Sequence, residues 1–319
     1  MYRHQQQVKE VLGEIRLGDQ EPKGLYEPIQ YTMDLGGKGV RPLFSLLAYR
    51  IYKPEGELEQ IAPIMRAVEL FHNFTLLHDD VMDDAPTRRG YPSVYKKWGT
   101  NTAILSGDAM MIEAYRELEE LPSELLKRIL PIFNKMALGI CEGQQHDIDF
   151  ESTPLAEMKL EQYLSMIRLK TAYLFQGAVV MGAIAGGAPE SDLEQLRKAT
   201  ELVGLAFQIQ DDYLDVFGKE DFGKQRGGDI LEQKKTWLLL VAYSKLGEEI
   251  ESALALEDDC EKIELVTQLY QDSMTDERAL REIERLTNEA RKALGNLVAP
   301  KEATAPLLDL FDHLVGRSK

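Results

Sequence analysis

Residues 76–84, LLHDDVMDD, and residues 207–215, FQIQDDYLD, carry the same acidic pattern at the end of an apolar, helix-periodic run. At about 3.6 residues per turn, positions i and i+4 share a helix face, so Asp79 projects with Asp83 and Asp211 with Asp215. Asp80 and Asp212 complete the two DDxxD patterns. Like charges one turn apart destabilise an isolated helix, and beside Leu76, Leu77, Phe207 and Ile209 each cluster needs a compensating cation. Clustered carboxylate oxygens suit magnesium, which keeps several waters and binds one or two carboxylates together with substrate phosphates. A single acidic run in an acidic chain is usually a solvated helix face. A second one with the same spacing and the same apolar flanks points instead to a diphosphate held through metal ions.

Outward from these motifs the periodicity is helical. Ile61, Ile64, Met65, Val68, Phe71, Thr75 and Leu76 trace one face of a helix from near Glu57 to Asp84, stopped by Pro86. The first acidic cluster then sits at a helix C-terminus, the end of the dipole that disfavours carboxylates. Thr153 and Pro154 read as the cap and first turn of a long helix through Met158, Tyr163, Ile167 and Leu174. Another helix runs from about Ser191 to Phe217, with Gly218 as its stop. From Leu231 to His313 shorter amphipathic helices follow. No run reads as a strand, and no linker or low-complexity segment divides the chain. The expectation is an all-α fold in a single domain over residues 1–319.

Composition bounds the partners. Lys and Arg number 37 against 54 Asp and Glu, a formal net charge of -17, which repels nucleic acid and anionic lipid but leaves room for a local basic site. Cys141 and Cys260 form no CxxC set, so neither a zinc site nor a disulfide framework is indicated. The polar N-terminus lacks the apolar core of a signal peptide, and a cytoplasmic protein is expected. The uncharged stretch from Ala172 to Pro189 approaches membrane-span length, but its Gly and Ala content reads as a closely packed buried helix rather than an integral span.

Basic and polar residues gather around the acidic motifs. GGKGVRP places Lys38 and Arg41 after a glycine turn and ahead of Pro42, at a helix start suited to an anion. APTRRGYP, directly after the first acidic motif, offers Arg88 and Arg89, whose diverging guanidinium groups can clamp two phosphates. After the second, FGKQRGGDILEQKKTW brings Lys224, Asp229, Lys234 and Lys235. His72 shares the first motif's helix, and Lys170 with Thr171 interrupts an otherwise apolar one. Gln144 and Gln208 are further polar intrusions.

Taken together, HDDVMDDAPTRRG, FQIQDDYLD, GGKGVRP, RLKTAYL and GGDILEQKKTW resemble the signature blocks of all-trans isoprenyl diphosphate synthases, over about residues 24 to 245. The resemblance implies an antiparallel helix bundle around a central cavity (the isoprenoid synthase type I fold), a homodimer, and three magnesium ions per site. It implies the head-to-tail condensation of isopentenyl diphosphate with an allylic diphosphate, releasing pyrophosphate. By position, Asp79, Asp83 and Asp211 match the metal ligands, supported by Asp80, Asp212 and Asp215. Lys38, Arg41, His72 and Arg89 match the isopentenyl diphosphate pocket, and Arg88, Lys170, Lys234 and Lys224 the contacts to the allylic diphosphate. Thr171 and Gln208 fall near the cationic carbons, with Gln144 and Asp147 in supporting places. Gly39, Tyr91 and Tyr95 depart from the residues frequent in the family. Phe71 and Phe74, eight and five residues before Asp79, lie one turn apart and read as the floor that limits product length. Such bulk favours farnesyl diphosphate (C15), with geranylgeranyl diphosphate (C20) close behind. The rival readings are a class I terpene cyclase, whose second motif normally mixes Asn, Ser or Thr with Glu, and a noncatalytic synthase subunit, which would have lost ligands.

Overall fold

The computed structural model describes residues 2–218 and 226–316. The helical reading holds for them. In the first part of the chain lie α1 (Tyr2–Gly13), α2 (Lys23–Asp34), α3 (Val40–Tyr52), α4 (Ala62–Met82), α5 (Val94–Trp98), α6 (Thr100–Glu119) and α7 (Ser123–Ser152). Then come α8 (Leu160–Ile167), α9 (Tyr173–Gly186), α10 (Glu190–Phe217) and α11 (Gly228–Leu231). The chain continues through α12 (Trp237–Leu246), α13 (Glu248–Leu254), α14 (Asp259–Asp272), α15 (Thr275–Gly295) and α16 (Lys301–Val315). The only strands among the described residues are Thr87–Arg88 (β1) and Tyr91–Pro92 (β2), an antiparallel ribbon with Arg88 opposite Tyr91.

Two compact units are distinguished by their internal contacts. The first comprises Met1–Ala137, Gly177–Leu193 and Val298–Leu307. Its centre is α4, which packs against α1, α2, α3, α5 and α6. The helix is buried nearly all round, through Ile64, Met65, Ala67, Val68, Leu70, Phe71 and Leu77, as a helix at the middle of a core must be. Close approach tightens the unit elsewhere: a Cβ on Gly182 of α9 would lie 2.1 Å from the Ser45 carbonyl oxygen of α3. Buried Asp192 ties separate segments together, accepting from the Tyr52 hydroxyl at 3.0 Å and from the Val298 amide at 2.9 Å.

The second unit comprises Leu138–Gln176, Glu194–Leu297 and Leu308–Lys319. Its core gathers Tyr163, Met166 and Ile167 of α8, Leu205 and Ile209 of α10, and the unbroken buried run Trp237–Ala242 of α12. Helix α12 starts where the Thr236 hydroxyl accepts the Leu239 amide at 3.2 Å, a side-chain N-cap. It packs against α8, α13, α14 and α15.

Two boundaries differ from the sequence reading. The first-motif helix starts at Ala62 rather than near Glu57, because Leu58–Gln60 forms a separate 3-10 turn. Thr153 and Pro154 do not open a helix. The Thr153 hydroxyl donates back to the Asp149 carbonyl at 2.9 Å, finishing α7, and Pro154 leads into a 3-10 turn. Helix α8 begins only at Leu160, where the Gln162 side chain reaches back to accept the Lys159 amide at 2.9 Å.

Candidate active site

The first acidic motif closes α4. Asp83 is its C-cap, Asp84 takes a left-handed conformation (φ 48°), and the Ala85 amide returns to the Asp80 carbonyl at 3.0 Å. This is a Schellman-type ending with Asp in the place usually held by Gly. Asp83 is exposed and Asp79 half-buried, whereas Asp80 is only 4% exposed. Its carboxylate accepts Arg88 Nε at 2.8 Å and also Arg88 Nη2. Burial pushes the Asp80 carboxyl up, and Arg88 opposes that shift.

Arg88 reaches Asp80 because β1 and β2 fold it back over the helix end. The connecting pair, Arg89 (φ 55°) and Gly90 (φ 81°), has the two positive φ angles of a type I′ hairpin turn. Arg89 then lies against the glycine turn: a Cβ on Gly37 would stand 3.0 Å from its Nη2. Lys38 is exposed on that turn, and Arg41 occupies the first turn of α3 behind Gly39, itself at φ 56°. His72 is buried on α4. Its imidazole is held well below the usual range by that burial and by the fields of Arg41, Arg89 and Arg88. The first unit thus brings Arg41, His72, Arg88 and Arg89 into one electropositive patch next to the first acidic motif.

The second motif repeats the arrangement with different anchors. Asp211 is exposed and Asp215 half-buried, while Asp212 is 4% exposed. Asp212 Oδ2 accepts the Tyr163 hydroxyl at 2.5 Å and the Trp237 amide at 2.9 Å, and Oδ1 accepts Gln208 Nε2 at 3.3 Å. Burial, reinforced by the neighbouring Asp229, pushes its carboxyl up to about 8 against the pull of those three donors. Asp215 Oδ2 accepts the Asp229 amide at 3.0 Å. Lys234 bridges to Glu232 at 2.8 Å and stands 3.9 Å from Asp229. Lys224 lies outside the described residues.

Tyr163→Phe is expected to lower the stability of the folded protein by about 1–3 kcal/mol, since it leaves a buried carboxyl short of its closest donor. Urea unfolding against the wild-type protein measures this, and an unchanged midpoint would show that the bond carries nothing.

Lys170 and Thr171 sit in a π-helical turn, Arg168–Ala172, inserted between α8 and α9. Such turns recur where a helix is bent to a functional purpose. Lys170 Nζ donates to Asp147 Oδ2 at 2.6 Å, and the Thr171 hydroxyl donates to Gln208 Oε1 at 3.0 Å. Thr171, Gln208, Asp212 and Tyr163 therefore form one continuous hydrogen-bonded series. Room for the widened turn comes from glycines. A Cβ on Gly143 of α7 would lie 2.4 Å from the Lys170 amide nitrogen, and one on Gly204 of α10 would lie 2.5 Å from Ala172 Cβ. Gln144, next to Gly143, is half-buried.

A polyprenyl synthetase family model matches residues 22–273. The chain belongs to the polyprenyl synthetase family. Among its relatives, a geranylgeranyl diphosphate synthase of Methanosarcina mazei is 38% identical over 227 residues, which cover 70% of this chain and 69% of that one. A geranylfarnesyl diphosphate synthase of Natronomonas pharaonis is 33% identical and covers 98% and 95%. A solved geranylgeranyl pyrophosphate synthase superposes with a TM-score of 0.90 at 40% identity, covering 100% of this chain and 98% of that one. The fold of this polyprenyl synthetase is accordingly the all-helical isoprenoid synthase fold.

In each motif of this polyprenyl synthetase the first and fifth aspartates are more exposed than the second, which is spent on internal donors, and Asp215 also accepts the Asp229 amide. Among the described residues no three His, Cys, Asp or Glu side chains converge as a self-sufficient ion cage. The oxygen donors of Asp79, Asp83, Asp211 and Asp215, exposed or half-buried, are of the kind magnesium takes, which uses few protein carboxylates and completes its shell with water and phosphate oxygens. The sequence reading passed over three buried partners: Tyr163, and, on α4, Glu69 and Asn73. Glu69 alone carried a signal, as a lone charge in the apolar run AVELF.

Proposed function

We propose that this chain catalyses the magnesium-dependent head-to-tail (1′-4) condensation of isopentenyl diphosphate with an allylic diphosphate, releasing pyrophosphate and a short-chain all-trans prenyl diphosphate. The observation that carries it is the pair of complete DDxxD motifs, each with its second carboxylate anchored and its first and fifth left more open, the first motif beside an arginine-rich patch. Both motifs are complete, which disfavours a noncatalytic subunit. An all-aspartate second motif disfavours a terpene cyclase. The matched relatives are named geranylgeranyl and geranylfarnesyl diphosphate synthases, which supports the same chemistry here.

In this reading Asp79, Asp83 and Asp211 would hold the magnesium, three ions per site, with Asp80, Asp212 and Asp215 in support. Bound magnesium supplies neutralisation of the diphosphate charge and Lewis-acid assistance to its departure. Arg88, Lys170, Lys234 and Lys224 bind the allylic diphosphate, with Gln144 and Asp147 in support. Lys38, Arg41, His72 and Arg89 bind isopentenyl diphosphate. The allylic C–O bond breaks with its electron pair leaving on pyrophosphate. The isopentenyl double bond then forms the new C–C bond, and a proton is lost to the departing pyrophosphate. Because the Thr171 hydroxyl proton is given to Gln208, its oxygen lone pairs remain to face the developing positive charge.

Phe71 and Phe74 set product length. Their ring centroids are 5.4 Å apart, and Phe71 packs edge-on against Phe133 at 5.4 Å, which in turn meets Tyr115 at 5.0 Å. A row of four rings supports farnesyl diphosphate (C15) as the main product. The relatives named geranylgeranyl synthases favour C20 as the second reading. A homodimer is proposed from α6, which leaves Leu105 (60%) and Ile112 (55%) exposed two turns apart. Leu160–Gly186 is the one described helical run long and apolar enough to cross a membrane, and 67% of its apolar window is buried. It is proposed as a core segment of a cytoplasmic protein of one domain, with no nucleic-acid partner.

Incubation with dimethylallyl diphosphate, excess isopentenyl diphosphate and magnesium is expected to give a linear C15 or C20 diphosphate, and nothing in EDTA. A cyclised hydrocarbon, or no metal-dependent product, overturns the reading. In the same assay Phe74→Ala, alone or with Phe71→Ala, lengthens the product by at least one five-carbon unit. The truncation costs about 3–5 kcal/mol of stability, so folding is checked by circular dichroism. Unchanged product length in folded, active variants rejects the floor.

A further inference from the structure

Arg168, the first residue of the π-helical turn, is held from α10: its Nε donates to Glu201 Oε1 at 2.7 Å, in a pair whose side chains are 41% and 32% exposed. The order of the neighbouring pairings makes this one unusual. Gln176 Nε2 donates to the Arg197 carbonyl at 3.2 Å, Ala172 stands against Gly204, and the Thr171 hydroxyl donates to Gln208 at 3.0 Å, so α9 and α10 run antiparallel. Arg168 precedes Thr171 and in that order would pair beyond Gln208. Its guanidinium instead reaches back to Glu201, about two helical turns before Gln208, so the side chain lies obliquely along the turn. Glu201, Gly204 and Gln208 share one face of α10, and Gln208 continues the row to Asp212 at 3.3 Å.

A π turn makes such a tie consequential. One inserted residue rotates everything after it by about 100° around the helix axis, so its place decides which way Lys170 and Thr171 face. The Tyr173 amide closes the wide turn on the Arg168 carbonyl. The start of the turn is therefore the residue that Glu201 holds, while Asp147 holds Lys170 and Gln208 holds Thr171. An ion pair this open to water contributes little to folding, which leaves its placement to be explained.

We propose that Arg168 and Glu201 are a positioning pair for the condensation: their oblique tie fixes the register of the π turn on α10, and with it the direction in which Lys170 meets the allylic diphosphate and Thr171 the developing positive charge. This rests on the roles proposed above for Lys170 and Thr171.

Arg168→Ala and Glu201→Ala are each expected to lower the single-turnover rate about tenfold, with KM for isopentenyl diphosphate within about twofold of wild type. The urea midpoint should stay close to that of the wild-type protein. In the double variant the rate should fall no further than in the slower single, because both act through one bond. Glu201→Gln keeps an acceptor for Arg168 Nε and should stay within about threefold of the wild-type rate. Rates within twofold of wild type in the folded alanine variants overturn the proposal, as does full additivity in the double variant. If an alanine variant does not fold, Arg168→Met carries the test: it keeps the aliphatic stem without the donors, the same loss is expected, and no loss overturns the pair. Lys170→Ala separates the two levels. If it slows condensation and the pair variants do not, the positioning role alone fails. If it changes neither the rate nor KM for the allylic substrate, or if the wild-type protein makes no metal-dependent product, the site assignment fails and takes the pair with it.

Discussion

Asp79→Asn and Asp211→Asn should each lower kcat/KM by about 10³-fold, while leaving the urea unfolding midpoint close to that of the wild-type protein. The substitution keeps side-chain volume and removes one formal charge from a carboxylate proposed to bind magnesium. Lewis-acid stabilisation of a departing diphosphate is worth several kcal/mol, and each 1.36 kcal/mol is a factor of ten. The small effect on folding follows from placement: Asp211 is exposed and Asp79 half-buried. Their neighbours Asp80 and Asp212 give the contrast, because each is 4% exposed and committed to internal donors. Asn at those two positions should lose stability along with activity. Steady-state kinetics across a magnesium titration are the measurement, and the Asp79 and Asp211 variants should recover part of their rate at high magnesium. Activity within tenfold of wild type for both would remove these residues from the metal-binding role.

Gly143→Ala is the second large effect, expected to destabilise the protein by about 1–3 kcal/mol through overpacking and to reduce kcat about 10²-fold through misplacement of the reacting groups. The added methyl would stand 2.4 Å from the Lys170 amide nitrogen and 2.9 Å from the Leu169 carbonyl carbon. Both are backbone atoms of the π-helical region, so no side chain can simply rotate away. Moving that turn displaces Lys170 from Asp147 and Thr171 from Gln208 together. Gly13→Ala, with nothing within 4 Å of the new Cβ, is the control. It should leave kcat unchanged. Equal behaviour of the two variants would show that the π turn tolerates displacement.

The outline of the candidate site is legible in the sequence because its strongest signals are local. Two DDxxD patterns, a glycine turn with Lys38 and Arg41, and the Arg88-Arg89 pair are each contained within a few residues, and helix periodicity could be read beside them. What stayed hidden depends on partners far along the chain or on small changes of backbone pattern. Tyr163 meets Asp212 across 49 residues, a pairing that no local rule encodes. The π turn at Arg168–Ala172 leaves the apolar periodicity of α8 and α9 nearly intact, so it read as one continuous helix. Thr153 illustrates a competition: its hydroxyl can cap a following helix or bond back to the preceding one, and it donates to Asp149. The ribbon at Arg88 was missed because a type I′ turn calls for Asn or Gly at its first central position, and this chain has Arg89 there.

If Arg89 binds isopentenyl diphosphate as proposed, that last residue sets heat resistance against turnover. An arginine in the left-handed region carries about 1–2 kcal/mol of backbone strain that glycine would relieve. A laboratory selection for thermal tolerance alone would therefore drive position 89 toward Gly or Asn. Every such survivor would lose the guanidinium beside Gly37, so on the proposed substrate-binding role selection on product formation would restore arginine, and position 89 would serve as a gauge of which pressure a population had felt.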